Sequence, residues 1–127
     1  MFIEVIDVFV SGKATNVSFS SPFGSAAAFW DGSAPDRGRN YEVELTLDEP
    51  FVWGHNIEPA RSNVPCIDVL EGAVCITARL VCIEADGIAA LDLGGSLVFA
   101  EVAGEVAAMP VFVSLRTQAL SVCPMGV

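Results

Sequence analysis

Two glycine-containing dipeptides, Asp86-Gly87 and Gly94-Gly95, interrupt an apolar stretch that extends from Gly72 to Val102. Both suit the type I′ turn, whose two central residues need positive φ, and this turn joins neighbouring antiparallel strands. The segment before the first dipeptide is rich in β-branched residues, which favour extended backbone. The sequence therefore predicts a three-strand antiparallel meander, with strands at 72–84, 88–93 and 96–102.

If both turns have two residues, counting from each turn gives the residues that face each other across the strands. Cys82 then faces Leu91, Leu80 faces Leu93, and Leu91 faces Val98, so these side chains share one face of the sheet. The opposite face is still mostly apolar, so we expect it to be covered by another wall of a barrel, by a partner or by a second copy. That opposite face consists of Val81, Ile83, Ala90, Asp92, Leu97 and Phe99.

The rest of the chain predicts further strands and one turn of helix, and the three alanines in Ala26 to Trp30 would also suit a helical turn. Alternation and β-branched content indicate strands at Phe2 to Val10, around Val17 and Phe19, at Ala26 to Trp30, at Tyr41 to Leu47, at Cys66 to Leu70 and at Val111 to Val122. A helical turn is predicted at 103–109, and 123–127 is predicted to be a tail. We therefore predict a single all-β domain over 1–127, a small barrel or sandwich of about five to seven strands.

The charge balance restricts the partners that the chain can attract. Sixteen acidic residues against six basic ones give a formal net charge of -10, which repels phosphate backbones and acidic membrane surfaces. A high negative charge often serves solubility alone. The alternative is a basic protein partner, because a field of one sign speeds encounter with the opposite sign. Glu4 and Asp7 interrupt the apolar N-terminal segment, and no basic region precedes it. The predicted location is cytoplasmic, with no binding of nucleic acid or membrane.

The residues that usually carry chemistry do not form a recognisable site. Four cysteines, Cys66, Cys75, Cys82 and Cys123, include no C-x-x-C pair, and the chain has one histidine, so a structural zinc site is not expected. Cys75 and Cys82 are seven residues apart in one predicted strand and should point to opposite faces. No nucleophile elbow and no phosphate-loop lysine are present. We predict a protein that is not an enzyme and has no catalytic residues, no metal and no cofactor.

Two sets of residues are candidates for partner binding. Glu42 and Glu44 point outward from the clean strand 41–47, and the acidic edge continues into Asp48 and Glu49. Trp53 and His55 lie in the unusual string 51–57, which surrounds a glycine with an indole, an imidazole and an amide. This string favours an anchored loop, with the indole in the core and His55 or Asn56 bound to backbone groups, or alternatively the lining of a small-ligand site.

Several strings of the chain resemble a group of small bacterial proteins. The segments concerned lie between Tyr41 and Val102, and they are Tyr41-Glu42-Val43-Glu44, Phe51-Val52-Trp53-Gly54, 84–91 and 93–97. These strings resemble mostly uncharacterised proteins expected to form OB-like β-barrels, some of which resemble toxin immunity proteins. The resemblance implies an OB-like barrel, and it implies a partner, such as a toxin, that the chain would neutralise as an immunity protein does. We expect the chain to depart from oligonucleotide-binding barrels, because the sequence predicts neither their basic groove nor their exposed aromatic residues.

These observations favour a non-enzymatic acidic protein that docks onto a basic protein, using Glu42, Glu44, Asp48 and Glu49 for attraction and Trp53 with His55 for local contacts. A self-associating β-domain is the alternative, with a homodimer formed through the apolar residues Val81, Ile83, Leu97 and Phe99. A small-ligand protein that uses the loop from Trp53 to Asn56 is the third hypothesis.

Overall fold

The computed structural model describes residues 1–125, which fold into twelve β-strands without a helix. The prediction of an all-β barrel is confirmed, and the predicted five to seven strands is an undercount. The strands are β1 (Phe2–Ser11), β2 (Ala14–Ser21), β3 (Gly24–Trp30), β4 (Asn40–Leu47), β5 (Phe51–Val52), β6 (Ile57–Pro59), β7 (Cys66–Leu70), β8 (Ala73–Ile83), β9 (Ile88–Leu93), β10 (Ser96–Ala103), β11 (Val111–Thr117) and β12 (Leu120–Pro124).

Strand pairing closes the sheet into a ring of eight strands in the order β1-β2-β3-β7-β8-β9-β10-β4, after which β4 pairs with β1. β12 lies between β3 and β4, parallel to the first and antiparallel to the second. It therefore also completes a smaller circuit of five strands, β1-β2-β3-β12-β4. β11 pairs with β8 and β6, and β5 pairs with β10, outside the ring.

One cluster of buried side chains fills the interior of the barrel. β4 shows how the sequence produces it, because Val43, Leu45 and Leu47 are buried while Glu42 and Glu44 between them are exposed, as the alternation predicts. Each apolar side chain buried in this way contributes about 1.5–3 kcal/mol to folding.

The second turn of the meander is the two-residue turn that the sequence predicts. Gly94 and Gly95 have φ values of 59° and 102°, and Leu93 pairs directly with Ser96. These angles are strained for residues with a Cβ atom, which explains the glycine pair. The predicted pairing of Leu91 with Val98 is confirmed.

The first turn differs from the prediction. Residues 84–87 form a four-residue connection in which the Gly87 N–H donates to the Glu84 carbonyl at 2.9 Å. Within the dipeptide, only Gly87 has positive φ. The longer turn and a β-bulge between Leu80 and Cys82 shift the register, so Leu80 faces Leu91 instead of Leu93.

The bulge also changes which residues of β8 share a face. Cys82 pairs with Ala90 and lies on the outer face, as Cys75 does, so the prediction that these two cysteines point to opposite faces is wrong. The cysteines are not joined, and all four in the chain are free. The Ile83 side chain points to the inner face, because Ile83 pairs with the buried Ala89 and packs against the core.

Three other local predictions need correction. Residues 104–110 form bends and no helical turn, as Gly104 and Pro110 disfavour helix at both ends. The predicted strand 111–122 is divided at Gln118 and Ala119 into β11 and β12. The predicted tail begins too early, because Cys123 and Pro124 belong to β12, and its residues 126–127 lie outside the described part of the chain.

Candidate functional site

β4 and β10 run parallel and touch at one pair of residues, Phe99 and Thr46. Before this pair the two strands separate, since β4 there pairs with the start of β1, at Phe2 and Glu42, and its Val43 carbonyl accepts a hydrogen bond from the Met1 amino group at 3.0 Å. The separation leaves an open groove of about 440 Å³ on the outer surface. We call it the β4–β10 groove, and the side chains at its surface are Met1, Glu42, Glu44, Leu97, Phe99 and Met125.

The two walls of the β4–β10 groove differ in chemistry. β4 contributes the exposed carboxylates of Glu42 and Glu44, whereas β10 contributes Leu97 and Phe99, which are 57% and 47% exposed. No lysine or arginine is among the described residues that line the groove. An acidic wall opposite an apolar wall suits a segment that carries basic and apolar side chains together.

A second hollow, of about 220 Å³, lies on the other side of Phe99. Its lining includes Asp48, Glu49 and Glu101, so the acidic character continues along the outer surface. Phe99 therefore lies between two acidic depressions, with carboxylates on both sides of an exposed aromatic ring.

Asp48 and Glu49 also hold the end of the barrel together. The Ser121 hydroxyl donates to Asp48, and the hydroxyl of Thr117 donates to Glu49 Oε1 at 2.5 Å. The Gln118 N–H donates to the same Glu49 oxygen at 3.1 Å. Asp48 thus binds β12, and Glu49 binds the end of β11 and the residue after it, which the sequence did not indicate. Glu42 and Glu44 have no such role among the described contacts.

Trp53 and His55 are placed apart from Glu42 and Glu44. Trp53 is partly buried against the core, close enough to Gly104 that a Cβ atom there would come within 2.9 Å of Trp53 Cβ. His55 is exposed and lines a polar hollow of about 310 Å³ that also includes Glu49 and Arg116. The six predicted partner-binding residues therefore do not form one site.

The loop that contains these two residues is anchored by its own side chains. Asn56 Oδ1 accepts a hydrogen bond from the Val52 N–H at 2.8 Å, and its amide donates to the Pro50 carbonyl at 3.1 Å. This is the structural role that the sequence favoured for the string 51–57, with Asn56 as the residue that binds the backbone.

The apolar outer face of the meander is not covered by another part of the described chain. Val81, Leu97 and Phe99 are exposed, so the expectation that another wall of the barrel covers this face is wrong. Ile83, the fourth residue of the predicted self-association set, packs against the core because of the bulge in β8. The structure instead places Leu97 and Phe99 beside Glu42 and Glu44, two sets that the sequence assigned to rival functions.

Residues 1–125 contain no group of three or more histidine, cysteine, aspartate or glutamate side chains arranged to hold a metal ion. In the same residues no helix is long and apolar enough to cross a membrane. Comparison of the chain with protein-family models, with curated proteins and with solved structures gave no match in any of the three.

Proposed function

We propose that this chain is a non-enzymatic acidic binding protein, of the immunity or inhibitor type, that docks onto a basic protein through the β4–β10 groove. The observation that carries the proposal is the pairing of two exposed glutamates with an exposed leucine and phenylalanine across one opening. Apolar contact supplies most of the affinity in such an interface, and the carboxylates select a basic partner and speed its encounter.

The overall charge supports the same partner. With a net charge of -10, the chain attracts cations, and the two hollows that flank Phe99 place carboxylates on both sides of the exposed ring. A partner that brings lysine or arginine beside an apolar side chain would satisfy both walls of the groove.

The closed circuit of five strands supports an OB-like assignment for part of the chain. β1, β2 and β3 form a meander, β12 lies parallel to β3 and antiparallel to β4, and β4 returns to β1. In this assignment residues 48–119, which include the glycine-turned meander, are an insertion before the last strand of a small five-stranded barrel.

Self-association through Val81, Leu97 and Phe99 is the weaker alternative. An isologous contact over the groove would place Glu42 and Glu44 of one copy near the same carboxylates of the other. Like charges at an interface cost free energy, whereas a basic partner gains from the same residues.

Capture from a lysate of the native host tests the proposal when variants are compared with the unchanged protein. We expect the unchanged chain to retain a basic protein. We expect the double variants Glu42→Gln/Glu44→Gln and Leu97→Ser/Phe99→Ser to fail to retain it. The matched control is Glu4→Gln/Glu105→Gln, which removes the same charge at exposed positions outside the groove.

The expected loss for the two groove amides is about 1–2 kcal/mol, or roughly five- to thirtyfold in affinity. It should shrink as salt is added, because screening weakens exposed charge pairs. A basic protein that all variants retain equally, or no basic protein in any capture, would refute docking at this groove.

A further inference from the structure

A second exposed apolar surface lies on the outer side of β1, β2 and β3, and β12 separates β3 from β4 and the β4–β10 groove. Phe9, Asn16 and Phe29 stand in one row across these strands, since Phe9 pairs with Asn16 and Asn16 with Phe29. Directly opposite residues of neighbouring strands point to the same face. The two rings are 48% and 46% exposed, so this row presents aromatic surface to the solvent, and the expectation that the chain lacks exposed aromatic residues is wrong.

The row borders a gap in the barrel wall. β3 pairs with β7 only at Gly24 and with β12 only at Phe29 and Trp30, and a hollow of about 280 Å³ opens between these contacts. Val69, which is 49% exposed, lies on the far side of the hollow. We call Phe9, Asn16, Phe29 and Val69 the phenylalanine face.

The hollow at the phenylalanine face differs in charge from four other hollows of the described surface. None of the described residues that line its hollow is ionisable, although the chain has 16 acidic residues. Four other surface hollows each include at least two carboxylates. Two carboxylates lie near the face. Asp7, two residues before Phe9 on β1, is paired with Arg37 at 3.3 Å. Asp48 accepts a hydrogen bond from Ser121, the residue opposite Phe29 on β12.

We infer that the phenylalanine face is the contact through which two copies of this chain form a twofold dimer. In a twofold contact each residue near the axis meets its own counterpart, so an acidic face opposes like charges and an uncharged one does not. The asparagine amide has both donor and acceptor groups, and Asn16 of one copy pairs with Asn16 of the other. The flanking phenylalanine rings supply the apolar centre of the interface.

This inference does not rest on the proposed function, because the two surfaces are distinct and respond oppositely to salt. Docking of a basic protein on the groove weakens as salt is added. Dimerisation of copies that each have a net charge of -10 strengthens instead, since screening reduces their mutual repulsion.

Sedimentation equilibrium of the purified chain over a range of concentrations tests the dimer. We expect a monomer–dimer equilibrium in which Phe29→Ser weakens association by about tenfold or more. The matched control is Phe99→Ser, which removes a ring of nearly equal exposure, 47%, from the acidic groove and should leave the dimer unchanged.

A second variant, Asn16→Asp, keeps the size of the side chain and places a carboxylate on each side of the axis. We expect it to shift the chain to monomer, and to recover part of its association at high salt. This variant decides the question if Phe29→Ser does not fold, as judged by circular dichroism.

Three outcomes would overturn the inference. The unchanged chain could remain a monomer at every concentration and salt level, or Phe99→Ser could dissociate the dimer while Phe29→Ser and Asn16→Asp do not. The third outcome concerns nucleic acid, because exposed aromatic rings also stack on bases. Changes in the NMR chemical shifts of the β1, β2 and β3 amides on adding a single-stranded oligothymidylate would show that the monomeric chain binds nucleic acid through this face.

Discussion

Thr117 is 1% exposed and is the one buried polar side chain among residues 1–125. Its hydroxyl donates to Glu49 and accepts a hydrogen bond from the Ala119 N–H at 3.0 Å. A hydroxyl that is both donor and acceptor in a buried place stabilises the turn between β11 and β12, because losing it leaves both partners unsatisfied. The first role of Glu49 is therefore structural.

Replacing Thr117 with valine keeps the shape of the side chain and removes these two hydrogen bonds. We expect the free energy of unfolding in urea to fall by about 1–3 kcal/mol. Thr46→Val, at an exposed position on β4, is the control and should change stability by less than about 0.5 kcal/mol. Equal stability of the two variants would show that the buried hydrogen bonds contribute little.

The sequence predicts Glu42 and Glu44 correctly as exposed, because alternation along one strand is a local property. It does not predict what Asp48 and Glu49 bind. Asp48 binds Ser121, 73 residues away along the chain, and Glu49 binds Thr117 and Gln118, 68 and 69 residues away. Contacts over such separations depend on how the barrel closes, which no local pattern encodes.

Closure of the barrel depends at one place on how near β3 comes to β7. Gly24 pairs with Ile67 so closely that a Cβ atom on the glycine would lie 1.8 Å from the Ile67 carbonyl oxygen. Only a residue without a side chain permits this approach of two backbones. The contact joins the β1-β2-β3 meander to the strands from β7 to β10.

Gly24→Ala should therefore separate β3 from β7 and destabilise the fold. We expect a loss of about 3 kcal/mol or more from the clash and the positive φ of 139° together. Gly12→Ala is the matched control, because Gly12 also has positive φ, 64°, yet a Cβ there meets nothing within 4 Å. Its cost should be about 1 kcal/mol, from backbone strain alone. Thermal or urea unfolding that gives equal losses would contradict the close approach as the cause.

The elements themselves are largely predictable because hairpins are local. The turn at Gly94-Gly95 and the strands β4 and β7 follow from glycine placement and alternation. The bulge in β8 is not predictable, since nothing in its composition differs from that of a regular strand, and it moves Ile83 from the outer face to the core. Strands of two or three residues, such as β5 and β6, are too short to show a period.

At the scale of the whole molecule, the charge is distributed unevenly over two apolar surfaces. The β4–β10 groove pairs its apolar wall with carboxylates, whereas the phenylalanine face has no ionisable residue in its hollow. In our account the first surface selects a basic partner and the second a copy of the same chain. The net charge predicts attraction to a basic protein, but the sequence alone does not indicate which exposed apolar residues lie beside the acids.

Hydrogen–deuterium exchange of the chain with and without the basic protein that it captures tests the central claim most directly. We expect the partner to slow exchange in 42–46 of β4 and 96–101 of β10, and to leave the exchange of β1, β2 and β3 unchanged. The same experiment on Glu42→Gln/Glu44→Gln, at equal partner concentration, should show weaker protection in the same two segments. Protection confined to other strands, or to the loop 53–56, would contradict docking of a basic partner on the β4–β10 groove.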